Sequence, residues 1–385
     1  MPTGGQDAVT NPLLALRGLG QSIWLDSLGR RLLGSGELAR LLREDGVVGV
    51  TSNPAIFEKA IVETEDYDAD IARLAASGRD AAAIYDELVV EDVRQAADLL
   101  LPVYEATQGQ DGYVSLEVSP ELAHDAGGTV AAVRRLWQAV GRPNLMVKIP
   151  GTVQGLEAIE ACLSEGMNIN VTLLFSVRRY EEVAWAYVRA LERRAAQGLP
   201  VDRVASVASF FVSRVDTLVD RLLEERLSAD PSLAEEVRPL LGKAGIANAK
   251  LAYRRFQQVF SGPRFLALVQ KGARVQRCLW ASTSTKNPAY SDVMYVEGLI
   301  GPQTVNTLPP ATLEAFRDHG RVAATLAQGV EEAEAIIARL ASLGIDIEEV
   351  AAQLEAEGVR LFVEAYRRTL TALAEKARRL AAARP

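Results

Sequence analysis

Cysteine and histidine are scarce in this chain: among 385 residues stand two cysteines, Cys162 and Cys278, and two histidines, His124 and His319. That supply builds neither a disulfide framework nor a Cys/His zinc site, and it leaves little for histidine-based acid–base chemistry. Basic charge is also in deficit, since 42 Lys and Arg against 50 Asp and Glu give a formal net charge of −8. Nucleic-acid binders usually carry a basic surface, so a general phosphate-backbone partner is not expected, whereas a small anionic substrate needs only a local basic pocket. No uninterrupted apolar run reaches the length of a membrane span, and residues 1–12 lack the basic stretch and apolar core of a secretory signal. The expectation is a soluble cytoplasmic protein with no membrane partner.

What is present is hydrophobic substance, 49% of the residues, enough for a large core. Short β-rich apolar runs alternate with longer segments whose apolar residues recur at three- and four-residue spacing, the pattern of βα units around a parallel sheet. The strand candidates are 22–28, 46–53, 112–119, 145–150, 167–175, 204–212, 278–285 and 294–300 (MYVEGLI), with helical stretches such as 80–107, 180–197 and 249–260 between them. From Pro310 onward the pattern is helical only, ending in an amphipathic segment that suits either a lid across a barrel or a dimer interface, so monomer and homodimer both remain open. No glycine-rich dinucleotide fingerprint follows the first strand, and the GSG of LLGSGELARLL reads as a turn and helix cap. Eight strands with interleaved helices therefore predict one α/β domain over 1–385, a (β/α)8 TIM barrel with extra helices and a helical C-terminal segment.

Within NLMVKIPG, Lys148 interrupts an apolar run. An unpaired buried charge is costly, and a lysine in such a place often snorkels to water. The parity of polar residues argues otherwise. Strand side chains alternate faces, and Asp26, Glu117, Lys148, Asn170 and Thr172 each take the face opposite their strand's main apolar set, with Ser282 grouped beside Trp280. In a barrel that face is the lumen. A lysine among acids there could be a structural ion pair, but it is also what carbinolamine chemistry requires, because desolvation favours the neutral, nucleophilic amine and an acid or base must shuttle protons. Arg214 and Lys286, just beyond the sixth and seventh strand candidates and close to Ser282 and Ser284, occupy the loops where barrels commonly hold phosphate.

With those residues in view, the chain resembles the transaldolase family, in its longer bacterial and actinobacterial type. The segments that carry the resemblance are SIWLDSLGR, GVTSNPAIFEKAI, VSLEVSPELAHD, NLMVKIPGT, GMNINVTLLFS, VASFFVSRVD, LWASTSTKNPAYSD and YVEGLIGPQTVNTLP, spanning 22–309. The resemblance implies transfer of a dihydroxyacetone unit from a ketose phosphate such as sedoheptulose 7-phosphate to glyceraldehyde 3-phosphate, through a lysine Schiff base and without metal or organic cofactor. It implies Lys148 as the imine-forming residue, Asp26 as the acid that takes the donor hydroxyl proton in cleavage, and Glu117, with Thr172, as partners of a bound water in making and breaking the imine. It further implies that Thr51, Asn53, Asn170, Ser209 and Phe211 line the sugar site and that Arg214, Ser282, Ser284 and Lys286 contact phosphate. Short-type relatives carry an arginine just after the serine matched by Ser282; here Thr283 follows, and Lys286 takes that role as a point charge rather than a bidentate fork. Two alternatives stand beside transfer: a fructose 6-phosphate aldolase that releases free dihydroxyacetone, whose resemblance places a tyrosine where this chain has Phe211, and a non-catalytic sugar-phosphate-binding module. Asn170-Val-Thr172 formally matches a glycosylation sequon, a reading set aside on a buried strand.

Overall fold

A computed structural model describes residues 11–382. Eight parallel strands close into a barrel in chain order: β1 (Gln21–Asp26), β2 (Val47–Thr51), β3 (Tyr113–Glu117), β4 (Leu145–Pro150), β5 (Ile169–Leu174), β6 (Ser206–Phe211), β7 (Arg277–Ala281) and β8 (Thr304–Leu308), with β8 pairing back onto β1. This is the expected (β/α)8 barrel. Residues such as Ile23, Leu25, Val147, Ile149, Phe210 and Trp280 pack outward against the surrounding helices. Trp24, Tyr113, Met146, Val207, Leu279 and Val305 take the other parity and fill the lumen. Trp24 needs the space above β2: a Cβ on Gly49 would lie 2.5 Å from its indole, so glycine is required for the lumen to hold so large a side chain.

An ion pair closes the N-terminal end of that lumen. Arg277 Nη2 lies 2.9 Å from Asp111 Oδ1, and the guanidinium also donates to Ser22 Oγ at 2.8 Å and to the Gln110 carbonyl at 2.7 Å. Asp111 in turn accepts from Ser22 Oγ at 2.8 Å and from Trp24 Nε1 at 3.1 Å. Both charges are thus saturated with partners.

The eighth strand is not at 294–300. Met294–Glu297 is a short helix, and β8 is Thr304–Leu308. Tyr295, Val296, Leu299 and Ile300, all buried, recur at steps of one and three, which is one face of a helical turn rather than an alternation. TVNTL concealed its strand character because only two of its five residues are apolar. Candidate 145–150 coincides with β4, but most of the others overran at their C-terminal ends, where the chain leaves the sheet to form the loops of the site; 278–285, for example, ends as a strand at Ala281.

From Pro310 on, the structure is helical as expected: Pro310–His319, Val330–Ser342 and the 36-residue helix Ile347–Ala382. At 1.5 Å per residue the last spans about 54 Å. It runs across the C-terminal side of the barrel, touching helix Ser213–Ala229, the end of β5, and helices Pro54–Val62 and Asp68–Ala76. Arg368 is pinned to Glu58 by two hydrogen bonds, and Arg367 to Glu121. A glycine inside a helix costs about 1 kcal/mol relative to alanine, yet Gly358 sits mid-helix. Its reason is close approach: a Cβ there would stand 2.9 Å from Leu173 Cδ2. Among the described residues, no helix is long and apolar enough to cross a membrane.

Candidate active site

Lys148 on β4 is 5% exposed. Sheet register sets it level with Glu117 on β3 and Asn170 on β5. Its Nζ lies 3.2 Å from Glu117 Oε2 and donates to the Ser52 carbonyl at 3.2 Å. Snorkelling is therefore ruled out, and the ammonium stays inside. The carboxylate of Glu117 has no partner other than Lys148, and the buried Thr172 hydroxyl has none. The contact of Glu117 with Lys148 is one of charge, not of saturated hydrogen bonding. Burial pushes the Glu117 pKa up, the Lys148 charge opposes that, and Asp26 adds to it.

Asp26, the last residue of β1, accepts from Thr51 Oγ1 at 2.6 Å, and Thr51 Oγ1 lies 2.6 Å from Thr307 Oγ1. A hydroxyl has one proton, so with Thr51 donating to the carboxylate, Thr307 must donate to Thr51. This orders a Thr307–Thr51–Asp26 chain. Burial raises the Asp26 pKa as well, against the opposing pull of Lys148, the Thr51 hydrogen bond and Lys286. Two carboxyl groups with raised pKa thus face the same amine, an arrangement suited to taking up and giving back protons.

The remaining polar groups are fixed by neighbours rather than left to swing. Asn170 Nδ2 donates to Ser115 Oγ at 3.0 Å while its Oδ1 accepts from Ser209 Oγ at 2.7 Å. Asn53 caps the helix Pro54–Val62, its Oδ1 accepting from Ile56 N at 3.1 Å. Arg214, second residue of helix Ser213–Ala229, stacks over the Phe211 ring at 5.4 Å, and Phe211 packs on Phe175 with ring centroids 5.1 Å apart. Burial lowers the Arg214 pKa. Lys286 donates to Ser284 Oγ at 2.6 Å, and partial burial followed by repulsion from Arg214 lowers its pKa too. Two neighbouring cations, both disfavoured by burial and one also by its neighbour, with Glu357 only partly offsetting the burial of Arg214, mark a place that an anion would complete.

Asp26, Thr51, Asn53, Lys148, Ser209, Phe211, Arg214, Ser282, Ser284 and Lys286 line one cavity of about 190 Å³. Glu117 and Asn170 stand beside Lys148 on the adjacent strands, with Thr172 next along β5 opposite Pro150. One expectation was right for the wrong reason. Trp280, with which parity grouped Ser282, faces outward and packs edge-on against Phe210 at 6.3 Å; Leu279 and Ala281 are the residues of β7 that face in. Ser282 reaches the cavity because β7 ends at Ala281 and its own φ of +54° turns the chain back, where it meets Ser213 Oγ at 2.9 Å. Thr283 is buried and donates to Asn306 Oδ1 at 3.0 Å, so Lys286 is the cation this loop presents to the cavity. Sequence reasoning missed Thr307 and Phe362, both of which line the cavity. The first was lost with the misplaced eighth strand. Phe362 belongs to the C-terminal helix, and its only signal was the amphipathic pattern of that segment.

The model of the Transaldolase/Fructose-6-phosphate aldolase family matches residues 23–373. Among curated relatives, the protein named Transaldolase from Trichodesmium erythraeum is 48% identical over 376 residues, 97% of this chain and 99% of its own length. The one from Thiobacillus denitrificans is 51% identical over 352 residues, 91% and 96% of the two chains. The Transaldolase of Saccharopolyspora erythraea is 49% identical over 365 residues, covering 94% and 97%. Family match, closed barrel and lumen lysine agree, and this chain belongs to the transaldolase/fructose-6-phosphate aldolase family.

Proposed function

We propose that the protein is a transaldolase that carries a dihydroxyacetone unit on Lys148 from a ketose phosphate to an aldose phosphate. The observation that carries the reading is the amine of Lys148 buried in the lumen against a carboxylate whose oxygens have no other partner. Lys148 attacks the ketose carbonyl, and Glu117 supplies and removes the protons by which the carbinolamine loses water to form the iminium, with the Thr172 hydroxyl beside it to orient that water. Asp26 then takes the proton from the hydroxyl at C4, the C3–C4 bond breaks, and its electron pair moves into the iminium to leave an enamine on Lys148 while the aldose phosphate departs. The same steps in reverse, with a new aldose phosphate, complete transfer. Asn53, Asn170 and Ser209 hold the hydroxyls of the three-carbon unit, and Arg214, Ser282, Ser284 and Lys286 receive the phosphate. Sedoheptulose 7-phosphate with glyceraldehyde 3-phosphate, giving erythrose 4-phosphate and fructose 6-phosphate, fits a cavity with an imine end and a cationic mouth.

The competing reading is release of free dihydroxyacetone. Phe211 speaks against it, because at this place the ring has no hydroxyl to hold a water near the enamine and instead supports Arg214. Incubation with fructose 6-phosphate alone separates the two: dihydroxyacetone should appear slowly, and erythrose 4-phosphate added as acceptor should accelerate donor consumption. Rapid release without acceptor would make the protein an aldolase.

A further inference from the structure

We propose that the C-terminal helix is part of the phosphate site, with Gly358 as the residue that sets where the Arg214 guanidinium lies. The inference rests on the reading of Arg214 as a phosphate contact. Arg214 is held on one side by the Phe211 ring at 5.4 Å. On another, the helix Ile347–Ala382 comes so near that a Cβ on Gly358 would lie 3.7 Å from Arg214 Nη1 and 2.9 Å from Leu173 Cδ2. Four residues on, one helical turn, Phe362 lines the cavity itself. Leu173 is buried, so its terminal methyl would have to yield into packed neighbours and not into solvent. Val350, Ala351, Leu354, Val359 and Phe362 of the helix belong to the same apolar cluster as Leu173, Phe175, Phe211, Val215 and Leu218. The helix is therefore packed onto helix Ser213–Ala229, which carries the guanidinium, and onto the end of β5, which carries Leu173.

An absent Cβ at Gly358 lets the helix descend until its backbone stands beside Arg214, which lines the cavity and also feels the charge of Glu357 on the same helix. A side chain at this position would lift the helix turn, release Arg214 from its slot and open the wall that Phe362 closes. Gly358 and Phe362 touch no reacting atom, so Gly358 is a positioning residue and Phe362 a wall.

The test is a pair of steady-state series on the full chain, Gly358→Ala and Gly358→Val, each with glyceraldehyde 3-phosphate and with unphosphorylated glyceraldehyde as acceptor, with Arg214→Ala run in parallel. The expected result is a KM for the phosphorylated acceptor raised about tenfold in Gly358→Ala and further in Gly358→Val, with the KM for the unphosphorylated acceptor unchanged at saturating donor; because the donor is phosphorylated too, its own KM should rise in parallel while the yield of borohydride-trapped donor is regained at saturating fructose 6-phosphate. Thermal unfolding of Gly358→Ala guards against a folding artefact: alanine's helix preference offsets part of the crowding at Leu173, and kinetics are compared only at temperatures below the onset of unfolding. Equal loss with both acceptors, or no loss with the phosphorylated one while Arg214→Ala still discriminates, overturns the positioning role. If Arg214→Ala itself fails to discriminate, the phosphate reading of Arg214 is what falls.

Discussion

At the N-terminal end of the lumen Arg277 and Asp111 form a buried ion pair in which each group is also hydrogen-bonded to neighbours. Toward the C-terminal end Lys148 and Glu117 form another, at 3.2 Å, in which the carboxylate has no partner but the lysine. The two pairs share one barrel and comparable burial, so the environment does not separate them. Saturation does. A buried charge pair stabilises only when its remaining donors and acceptors are satisfied, and one left open costs free energy that another use must justify. The lower pair is a plug. The upper pair is held ready for chemistry, with Asp26 and its threonine chain as a third, raised-pKa neighbour.

The largest effects should come from breaking each pair in turn. Lys148→Met is expected to reduce turnover roughly 10⁴-fold or more at a smaller cost in stability, because Glu117, whose pKa burial already raises, can take up a proton once the lysine charge is gone. Arg277→Met should do the reverse, costing about 3–5 kcal/mol of stability by stranding Asp111 while the folded fraction keeps its turnover within a few-fold. Denaturant unfolding and active-site titration on the two variants measure both quantities, and matching stability losses would erase the distinction between the pairs. A smaller effect sharpens it: Glu117→Gln should slow imine formation about 10²-fold in single-turnover trapping, with substrate affinity retained.

Smallest is the pH signature of Asp26. Burial raises its pKa, so the native state holds that proton more tightly than the unfolded chain; its contribution to stability is present while it is protonated and is lost as pH rises through the raised folded value. Asp26→Asn should therefore be more stable than the parent at neutral pH by on the order of 1 kcal/mol, a gain that vanishes below the ordinary aspartate range. Midpoints of thermal unfolding across pH give the answer. The same variant should still form the imine yet fail at carbon–carbon cleavage, and a constant difference at every pH would remove Asp26 from the titrating set.

Most of the site was legible because strand parity has a period of two: Glu117, Lys148 and Asn170 lie on regular stretches of strand, and Asp26 and Thr172 keep the expected face although register shifts occur beside them in β1 and β5. Legibility failed where regularity failed. Ser282 lies beyond the end of β7 in a left-handed conformation, which no alternation reports. The eighth strand was sought in the more apolar MYVEGLI, whose spacing is helical, when the pairing partner of β1 was the polar TVNTL. Phe362 lay out of reach for a different reason: an amphipathic helix shows that it has a buried face but not what that face covers, and here part of it covers the cavity.

Borohydride reduction in the presence of fructose 6-phosphate, followed by peptide mapping, tests the central claim most directly. The account predicts one stable adduct with the mass of the reduced three-carbon unit or its parent sugar phosphate, on the peptide carrying Lys148, and none in Lys148→Ala. An adduct on another lysine, or undiminished turnover in Lys148→Ala, would contradict it.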